Sequence, residues 1–469
     1  MTWRSLSYYP FPRTWSHPIP RVVSCVKTAM TECLPSSTSR HEEQLMHLAK
    51  LIVAISLAAP VLSSAPALAN VVVYTANYPP TSAASEINGS LGGNTSRSLV
   101  AAGLMGAKFF GDVNVHGMEP VVLQHCAGRS HPNSTWPEQC DFKGLVEALG
   151  EVFDQNWLNI AYGQNEQHRA IQALVSGLKY YHSPAIVPLY GHVDHWGTVY
   201  QIEMNGNELS KLNFFDSGPG DQSDAAGDSY FDGIRTASGQ TWRKMYYQVL
   251  GGVGPFDPFR NKFLISYDPP KHVMDEGKGL PRPTFIPVPL PGILEPGKKM
   301  DVHIAEERVW DAIFLAGIDD DPITWAALEK GMAGPAWEVH GRTPSGDAWD
   351  YFLVPILAYD GAISAMVQLS AADGAVEQIH APSRLLPFAG LSEHEARARA
   401  TATLMADEML EGGRLTWDPQ LHDAHCNSPL VPYYHFEVTS TLGEPRGGLF
   451  VALDDGIVRG IKVQLSRMP

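Results

Sequence analysis

The sequence GHVDHWG at residues 191–197, followed by an apolar run and then by FFDSGP at residues 214–219, decides the fold of this chain. The pattern places His195 at the start of one strand and Asp216 at the end of the next. A carboxylate in that position can orient an imidazole that acts as a general base. The sequence therefore predicts a His195–Asp216 pair, to which another part of the chain would have to bring a nucleophile.

Helical periodicity precedes these strands, and alternating patterns follow. The spacing of apolar residues predicts helices at 81–91, 96–105, 141–153 and 165–178, the last with Asn165 as its N-cap. Strands are expected at 185–190, 196–204, 208–215 and 262–267, with a hairpin turn at Asn205-Gly206. Helices first and an antiparallel sheet afterwards predict an α+β fold.

These residues resemble a known family. His195-Trp196 opening a strand, the Phe-Phe-Asp at 214–216 with Gly-Pro after it, and the Pro-Ala-Ile-Val-Pro strand at 184–188 resemble papain-fold cysteine peptidases. They are most similar to the bacterial group related to bacteriocin-leader peptidases, over about residues 72–268. The resemblance implies that His195 is the base and Asp216 its orienter.

In that family the nucleophile is a cysteine at the N-terminus of the first helix, where the helix dipole and the histidine stabilise a thiolate. The equivalent position here falls on Thr81 or Ser82, and Asn77 is a candidate oxyanion donor. A hydroxyl is not activated by a helix terminus as a thiol is. The chain is therefore interpreted as a pseudoenzyme that binds an extended peptide or protein ligand without cleaving it.

Other interpretations remain open. Ser82 or Thr81 would serve an active hydrolase if the base and the oxyanion hole were fully formed. Cys126 is a further candidate nucleophile. A further alternative is that the chain does not belong to the papain-fold family. A purely structural envelope protein belongs to a third class, which a fully enclosed His195 with no groove beside it would favour.

The N-terminal 69 residues are expected to be absent from the mature protein. Residues 46–69 have a short apolar core and end in Ala67-Leu68-Ala69, which is typical of a secretory signal peptide. Residues 1–45 are interpreted as an unstructured leader or a mis-assigned start. The mature protein is thus expected to be secreted or periplasmic, with no integral membrane segment.

The net charge of the chain limits the classes of partner that it can bind. The chain has a formal charge of −16, and its first 69 residues carry six basic and three acidic residues, which leaves −19 on the remainder. An acidic surface is repelled by phosphate backbones and anionic lipids. The sequence predicts no nucleic-acid partner, and it gives no indication of the oligomeric state.

Cysteine spacing predicts one disulfide. Three of the five cysteines follow the signal peptide, and Cys126 and Cys140 flank a loop rich in serine, proline and asparagine. In an exported chain such a near pair favours a disulfide. Cys426 is then left unpaired and is interpreted as structural or incidental.

The C-terminal region contains an internal repeat. Residues 269–299 are rich in proline and are expected to form a linker. Residues 300–385 and 386–469 each show a helical segment, at 305–316 and 392–410, followed by strands with Asp-Gly turns. The two copies resemble PepSY-like or cystatin-like modules, which implies peptidase inhibition or peptide binding.

Neither a metal nor a cofactor is expected. Asp216, Asp221, Asp224, Asp228 and Asp232 lie in a Gly-rich stretch that could hold calcium, but they lack the spacing of a known calcium loop. They are interpreted as a solvated acidic loop. The run at 319–321 is interpreted as an acidic helix start.

Overall fold

The structure is a computed structural model, and it describes residues 71–80, 95–134, 140–191, 195–217, 232–251, 253–268, 289–295, 297–382, 390–419, 428–453 and 458–462. These residues belong to one compact unit, Ala69–Pro469. The predicted signal peptide, Thr81, Ser82 and Cys426 lie outside the described residues. No helix within those ranges has the length and apolar character needed to cross a membrane.

Seven helices are numbered in chain order. They are α1 (Thr95–Gly111), α2 (Glu119–Cys126), α3 (Phe142–Phe153), α4 (Gln167–Tyr181), α5 (Val302–Leu315), α6 (Pro322–Leu328) and α7 (Glu393–Thr401). A short helical segment, Gly239–Thr241, continues into a π-helical turn, Trp242–Tyr246. Side-chain caps begin α3, α5, α6 and α7, because Asp141, Asp301, Asp321 and Ser392 each accept a hydrogen bond from a free amide of the first turn.

Sixteen strands belong to one sheet among the described residues. They are β1 (Val71–Thr75), β2 (Leu158–Tyr162), β3 (Ala185–Pro188), β4 (Trp196–Asn205), β5 (Glu208–Ser217), β6 (Asp232–Ser238), β7 (Phe263–Tyr267), β8 (Met332–Ala333), β9 (Trp337–Arg342), β10 (Ala348–Leu357), β11 (Ile363–Ser370), β12 (Val376–Pro382), β13 (Glu408–Trp417), β14 (Tyr433–Ser440), β15 (Pro445–Ala452) and β16 (Val458–Lys462).

The sheet is continuous from the N-terminal strands to the C-terminal ones. Its order is β16-β15-β14-β13-β9-β10-β11-β12-β6-β5-β4-β3-β7-β2, with β1 paired to β4 and β8 to β10. The one parallel pairing in the described register joins β13 to β9, and the others are antiparallel. The pairing of β12 with β6 joins residues 376–382 to residues 232–238. The fold is therefore α+β, with a large and mostly antiparallel sheet.

Helices cover both faces of the sheet. On one face of β10, Phe352 and Val354 share a core cluster with α5. On the other face, Tyr351 shares a cluster with Ala396 and Ala400 of α7. Alternate residues of a strand point to opposite faces, so β10 is buried from both sides.

Several predicted boundaries were wrong. The helix expected at 392–410 ends at Thr401, and Glu408–Trp417 is a strand. Asn165 does not cap α4, which starts at Gln167 after Glu166. The C-terminal end of the proline-rich segment packs against the chain, because Leu294 donates a backbone hydrogen bond to Asp373 and contacts the α5 core.

Candidate functional site

His195 and Asp216 are brought together where β4 and β5 lie side by side. His195 immediately precedes β4, and the register aligns Gly197 with Asp216. Nε2 of His195 lies 2.6 Å from Oδ1 of Asp216, and both side chains are fully buried. The short hairpin turn after Asn205 sets this register. A slip by one residue would turn Asp216 to the opposite face of the sheet.

A third residue, Arg235, contacts the His195–Asp216 pair, and the sequence analysis missed it. Arg235 lies on β6 opposite Phe214 and is fully buried. Its Nη2 lies 2.7 Å from Oδ2 of Asp216. Burial acts to lower the pKa of the guanidinium, but the charge of Asp216 together with the interactions of Tyr190 and Tyr246 outweighs it, and the pKa of Arg235 is raised above its usual value. Asp216 therefore contacts an imidazole on one oxygen and a guanidinium on the other.

Two tyrosines surround this cluster. The ring centroid of Tyr190 lies 5.0 Å from that of His195, and its hydroxyl accepts a hydrogen bond of 2.9 Å from Nη1 of Arg235. Tyr246, in the π-helical turn, stands 4.8 Å from Tyr190 between ring centroids. Burial raises the pKa of both hydroxyls, which therefore stay protonated.

The C-terminal part of the chain closes the cluster from another side. Oγ of Ser428 accepts a hydrogen bond of 3.2 Å from Arg235. The ring centroid of Trp417 lies 6.1 Å from that of Tyr190. The hydroxyl of Tyr351 donates to the carbonyl of Pro429 at 2.5 Å. The predicted base is thus enclosed by residues that lie more than 130 positions further along the sequence.

A buried hydroxyl that the sequence analysis did not consider contacts the backbone of the residue that follows the base. Ser98, in the first turn of α1, is fully buried, and its Oγ accepts a hydrogen bond of 3.0 Å from the backbone N–H of Trp196. The hydroxyl of Thr198 also contacts α1, because it donates a hydrogen bond of 2.6 Å to the carbonyl of Ala102. Nδ1 of His195 has no hydrogen-bond partner among the residues that the structure describes. The sequence did hold a signal for this contact, because Ser98 lies near the start of the helix predicted at 96–105.

The structure does not bring Asn77 to His195. Nδ2 of Asn77 donates a hydrogen bond of 3.1 Å to the carbonyl of Phe110, near the C-terminal end of α1. Ser98 lies in the first turn of that helix, about 18 Å away at 1.5 Å of rise per residue. Asn77 therefore closes the far end of α1 and is not placed as an oxyanion donor.

A disulfide joins Cys126, at the end of α2, to Cys140, just before α3. Both sulfur atoms are buried, and the pairing is the one expected from the sequence. This bond corrects the alternative in which Cys126 acts as a nucleophile, because a disulfide-bonded sulfur has no thiolate to offer.

Metal ligands do not cluster in the part of the chain that the structure describes. No group of three or more His, Cys, Asp or Glu side chains there is arranged to hold a metal ion. Asp221, Asp224 and Asp228 of the predicted acidic loop lie outside that part. Asp216 is committed to His195 and Arg235.

Comparisons with known proteins add little. No protein-family model matches the chain, and no curated protein matches its sequence. Among solved structures, the C-terminal domain of YpeB from Bacillus megaterium aligns with 12% identity over 63% of this chain and 96% of that domain, at a TM-score of 0.15. Similarity at that level carries no argument about fold or function.

Proposed function

We propose that this chain is an exported, papain-like pseudoenzyme that binds an extended peptide and does not cleave it. The observation that carries the proposal is the complete burial of His195 and Asp216 together with Arg235. A general base has to reach both a nucleophile and a substrate. An imidazole without exposed surface meets neither requirement.

The ion pair between Asp216 and Arg235 also argues against a catalytic role for His195. In a hydrolase, the carboxylate stabilises the imidazolium that forms when the base takes up a proton. The charge of Asp216 is here already balanced by Arg235 at 2.7 Å. The cluster is therefore better suited to holding strands β4, β5 and β6 together than to proton transfer.

The C-terminal residues fit a binding role. We interpret residues 300–385 and 386–469 as PepSY-like repeats, a proposal that rests on their internal similarity. Residues around Ser428 and Trp417 cover the cluster and make it part of the shared core. The repeats thus stabilise the papain-like part and leave peptide recognition to other, exposed parts of the chain.

One observation favours a second candidate, an active hydrolase. Ser98 lies at a helix N-terminus beside Trp196, and Nδ1 of His195 has no partner among the described residues. Ser98 would be the nucleophile in that case, and Ser82 and Thr81 stay as the candidates predicted from the sequence. Opening of the C-terminal cover would have to expose the imidazole.

A peptidase assay distinguishes the pseudoenzyme from the active hydrolase. The exported protein would be incubated with a fluorogenic peptide library, alongside the variants His195→Gln, Ser98→Ala and Ser82→Ala. His182→Gln, at an exposed histidine, is the matched control. We expect no hydrolysis by any form, with folding confirmed by circular dichroism. Hydrolysis that is lost in His195→Gln and in one serine variant, but kept in His182→Gln, would show an enzyme.

A further inference from the structure

A cavity of about 220 Å³ lies over one face of the sheet, beside the loop that joins α5 to α6. The strand register sets its floor residues on that face, and they are Val71 and Val73 of β1, Gln201 and Glu203 of β4, Lys211 and Asn213 of β5, and Thr236 of β6. The wall is formed by Ile318, Asp320, Asp321 and Pro322. Pockets that enclose drug-sized ligands usually measure about 300–1,000 Å³, so this cavity suits a small molecule or a single side chain.

Hydrogen bonds hold the wall of the cavity against the sheet. Nδ2 of Asn213 donates to Oδ2 of Asp321 at 2.8 Å, and the hydroxyl of Thr324 donates to the same oxygen at 2.6 Å. Nζ of Lys211 donates to the carbonyl of Gly317 at 2.9 Å. The cavity is therefore preformed, and a ligand would not have to order it.

Lys211, the cation on the floor of the cavity, is already engaged. Its Nζ donates to the carbonyls of Ala316 and Gly317 at 3.2 and 2.9 Å, and it pairs with Glu203 at 2.8 Å. An ammonium has three donors. Lys211 therefore has no donor left for an anionic ligand, and its charge is balanced by Glu203.

An acceptor on the same floor is free. Nδ2 of Asn213 donates to Asp321 and to Oε1 of Gln201. An ionised carboxylate only accepts, so the contact with Asp321 fixes the orientation of the amide. Oδ1 of Asn213 accepts no hydrogen bond from the described residues, although only 6% of Asn213 is exposed. Buried polar atoms normally have a partner, so this oxygen points to a ligand that donates.

The cavity also carries excess negative charge. Asp321 accepts hydrogen bonds only from neutral groups, and the exposed Asp320 has no ion-pair partner among the described residues. The half-exposed Val71 and Val73 add apolar surface and leave the cavity accessible from the side of β1. A ligand that is cationic, rich in donors and partly apolar complements this lining.

We infer that this cavity binds an alkyl cation, with an ammonium or guanidinium group against Asp320, Asp321 and Oδ1 of Asn213. The apolar chain of the ligand packs on Val71 and Val73. A free amine and the side chain of a lysine or arginine share this chemistry. The site does not depend on the proposed peptide-binding function, because the residues of the buried His195 cluster do not line the cavity.

Isothermal titration calorimetry at low ionic strength tests the site. The probes are butylammonium, butylguanidinium, neutral butanol and a blocked glycine–lysine–glycine peptide. The full chain would be compared with Asp320→Asn, which removes a charge and keeps the shape, and with Val73→Trp, which fills the β1 side of the cavity. Circular dichroism confirms that each variant folds.

Two matched controls lie outside the cavity. Asp319→Asn changes an exposed neighbour of Asp320 that does not line it. Val72→Trp places the same large side chain on β1, at a residue that alternates to the opposite face.

We expect both butyl cations to bind and butanol to bind at least about tenfold more weakly. Asp320→Asn and Val73→Trp should each weaken cation binding by at least about fivefold, whereas either control should change it by less than about twofold. Equal binding of butanol overturns the site. So does a loss of cation binding in Asp319→Asn that equals the loss in Asp320→Asn, because such binding would reflect only the net acidity of the chain.

The lysine peptide identifies the source of the cation. Peptide binding that Asp320→Asn and Val73→Trp weaken assigns the cavity to a basic side chain, whereas binding of the butyl cations alone assigns it to a free amine. Either result supports an alkyl-cation site. Cation binding that neither variant weakens overturns it, and none of these outcomes bears on the peptidase assay of the proposed pseudoenzyme.

Discussion

Nη2 of Arg235 lies 2.7 Å from Oδ2 of Asp216, and neither side chain has exposed surface. The carboxylate that orients His195 is thus also the counterion of a buried guanidinium. Replacing a buried ion pair as a whole can be nearly neutral, whereas removing one partner leaves an uncompensated charge. This asymmetry allows the structural role of the cluster to be measured.

Arg235→Met should destabilise the protein strongly. The variant leaves Asp216 buried without its cation, so we expect a loss of about 3 to 5 kcal/mol in the free energy of unfolding. Urea denaturation followed by tryptophan fluorescence measures this loss. Arg260→Met, at an exposed arginine, should change stability by less than about 0.5 kcal/mol.

The double variant Arg235→Met with Asp216→Leu completes the test. Because it removes both charges, it should be more stable than Arg235→Met alone, with a coupling energy of at least about 1 kcal/mol. Additive losses in the double variant would contradict a direct ion pair.

The hydrogen bond from Tyr351 to the carbonyl of Pro429 should contribute to the closure of the cluster. Tyr351 is fully buried, and its ring lies on β10 while Pro429 follows Ser428. Tyr351→Phe removes the donor and leaves a buried carbonyl unpaired, so a loss of about 1 to 2 kcal/mol is expected. Tyr359→Phe, at a fully exposed tyrosine, should have no measurable effect on the urea midpoint.

Much of the candidate site could be predicted because it depends on local patterns. His195 and Asp216 lie on two strands joined by a short turn, and the alternation of apolar residues sets their register. The helix containing Ser98 was expected for the same reason, since its apolar residues recur at helical spacing. Neighbouring elements in sequence are often neighbours in space.

The partners from distant parts of the chain could not be predicted. Arg235 pairs with Asp216 across β5 and β6, whose connection lies largely in an acidic stretch without periodicity. Ser428 reaches Arg235 from 193 residues away. The sheet continues through the pairing of β12 with β6, which no local pattern encodes. The helix predicted at 392–410 included the first three residues of β13, since Glu408, Met409 and Leu410 favour helices, and pairing with β14 overrode that propensity.

Loss of the disulfide between Cys126 and Cys140 should lower the stability of the protein. Cys126 and Cys140 are 14 residues apart, and a closed loop of that size is worth about 3 kcal/mol in the unfolded-state entropy model. The variant with Cys126→Ala and Cys140→Ala should therefore lose about 2 to 4 kcal/mol in urea denaturation under oxidising conditions.

A reducing agent should lower the stability of the wild type to nearly that of the double alanine variant. Equal stability of the wild type with and without reductant would contradict a structural role for the bond.

Glu377 should make stability depend on pH. Burial raises the pKa of its carboxyl to about 7, although Trp349 and Gln368 donate hydrogen bonds of 3.0 and 2.9 Å to it. Below pH 4.5 both the folded and the unfolded state are protonated, and between 4.5 and about 7 only the folded state keeps the proton. The free energy of unfolding should thus fall as the pH rises through this window, by about 3 kcal/mol from this residue.

Glu377→Gln should remove that contribution. The amide is neutral at every pH and keeps one acceptor. The stability of the variant relative to the wild type should therefore increase by about 2 to 3 kcal/mol between pH 5 and pH 8. Urea denaturation at both pH values measures the difference. Glu338→Gln, at an exposed glutamate, should leave the wild-type pH profile in place. A profile for Glu377→Gln that runs parallel to the wild type would show that Glu377 is ionised in the folded protein throughout this range.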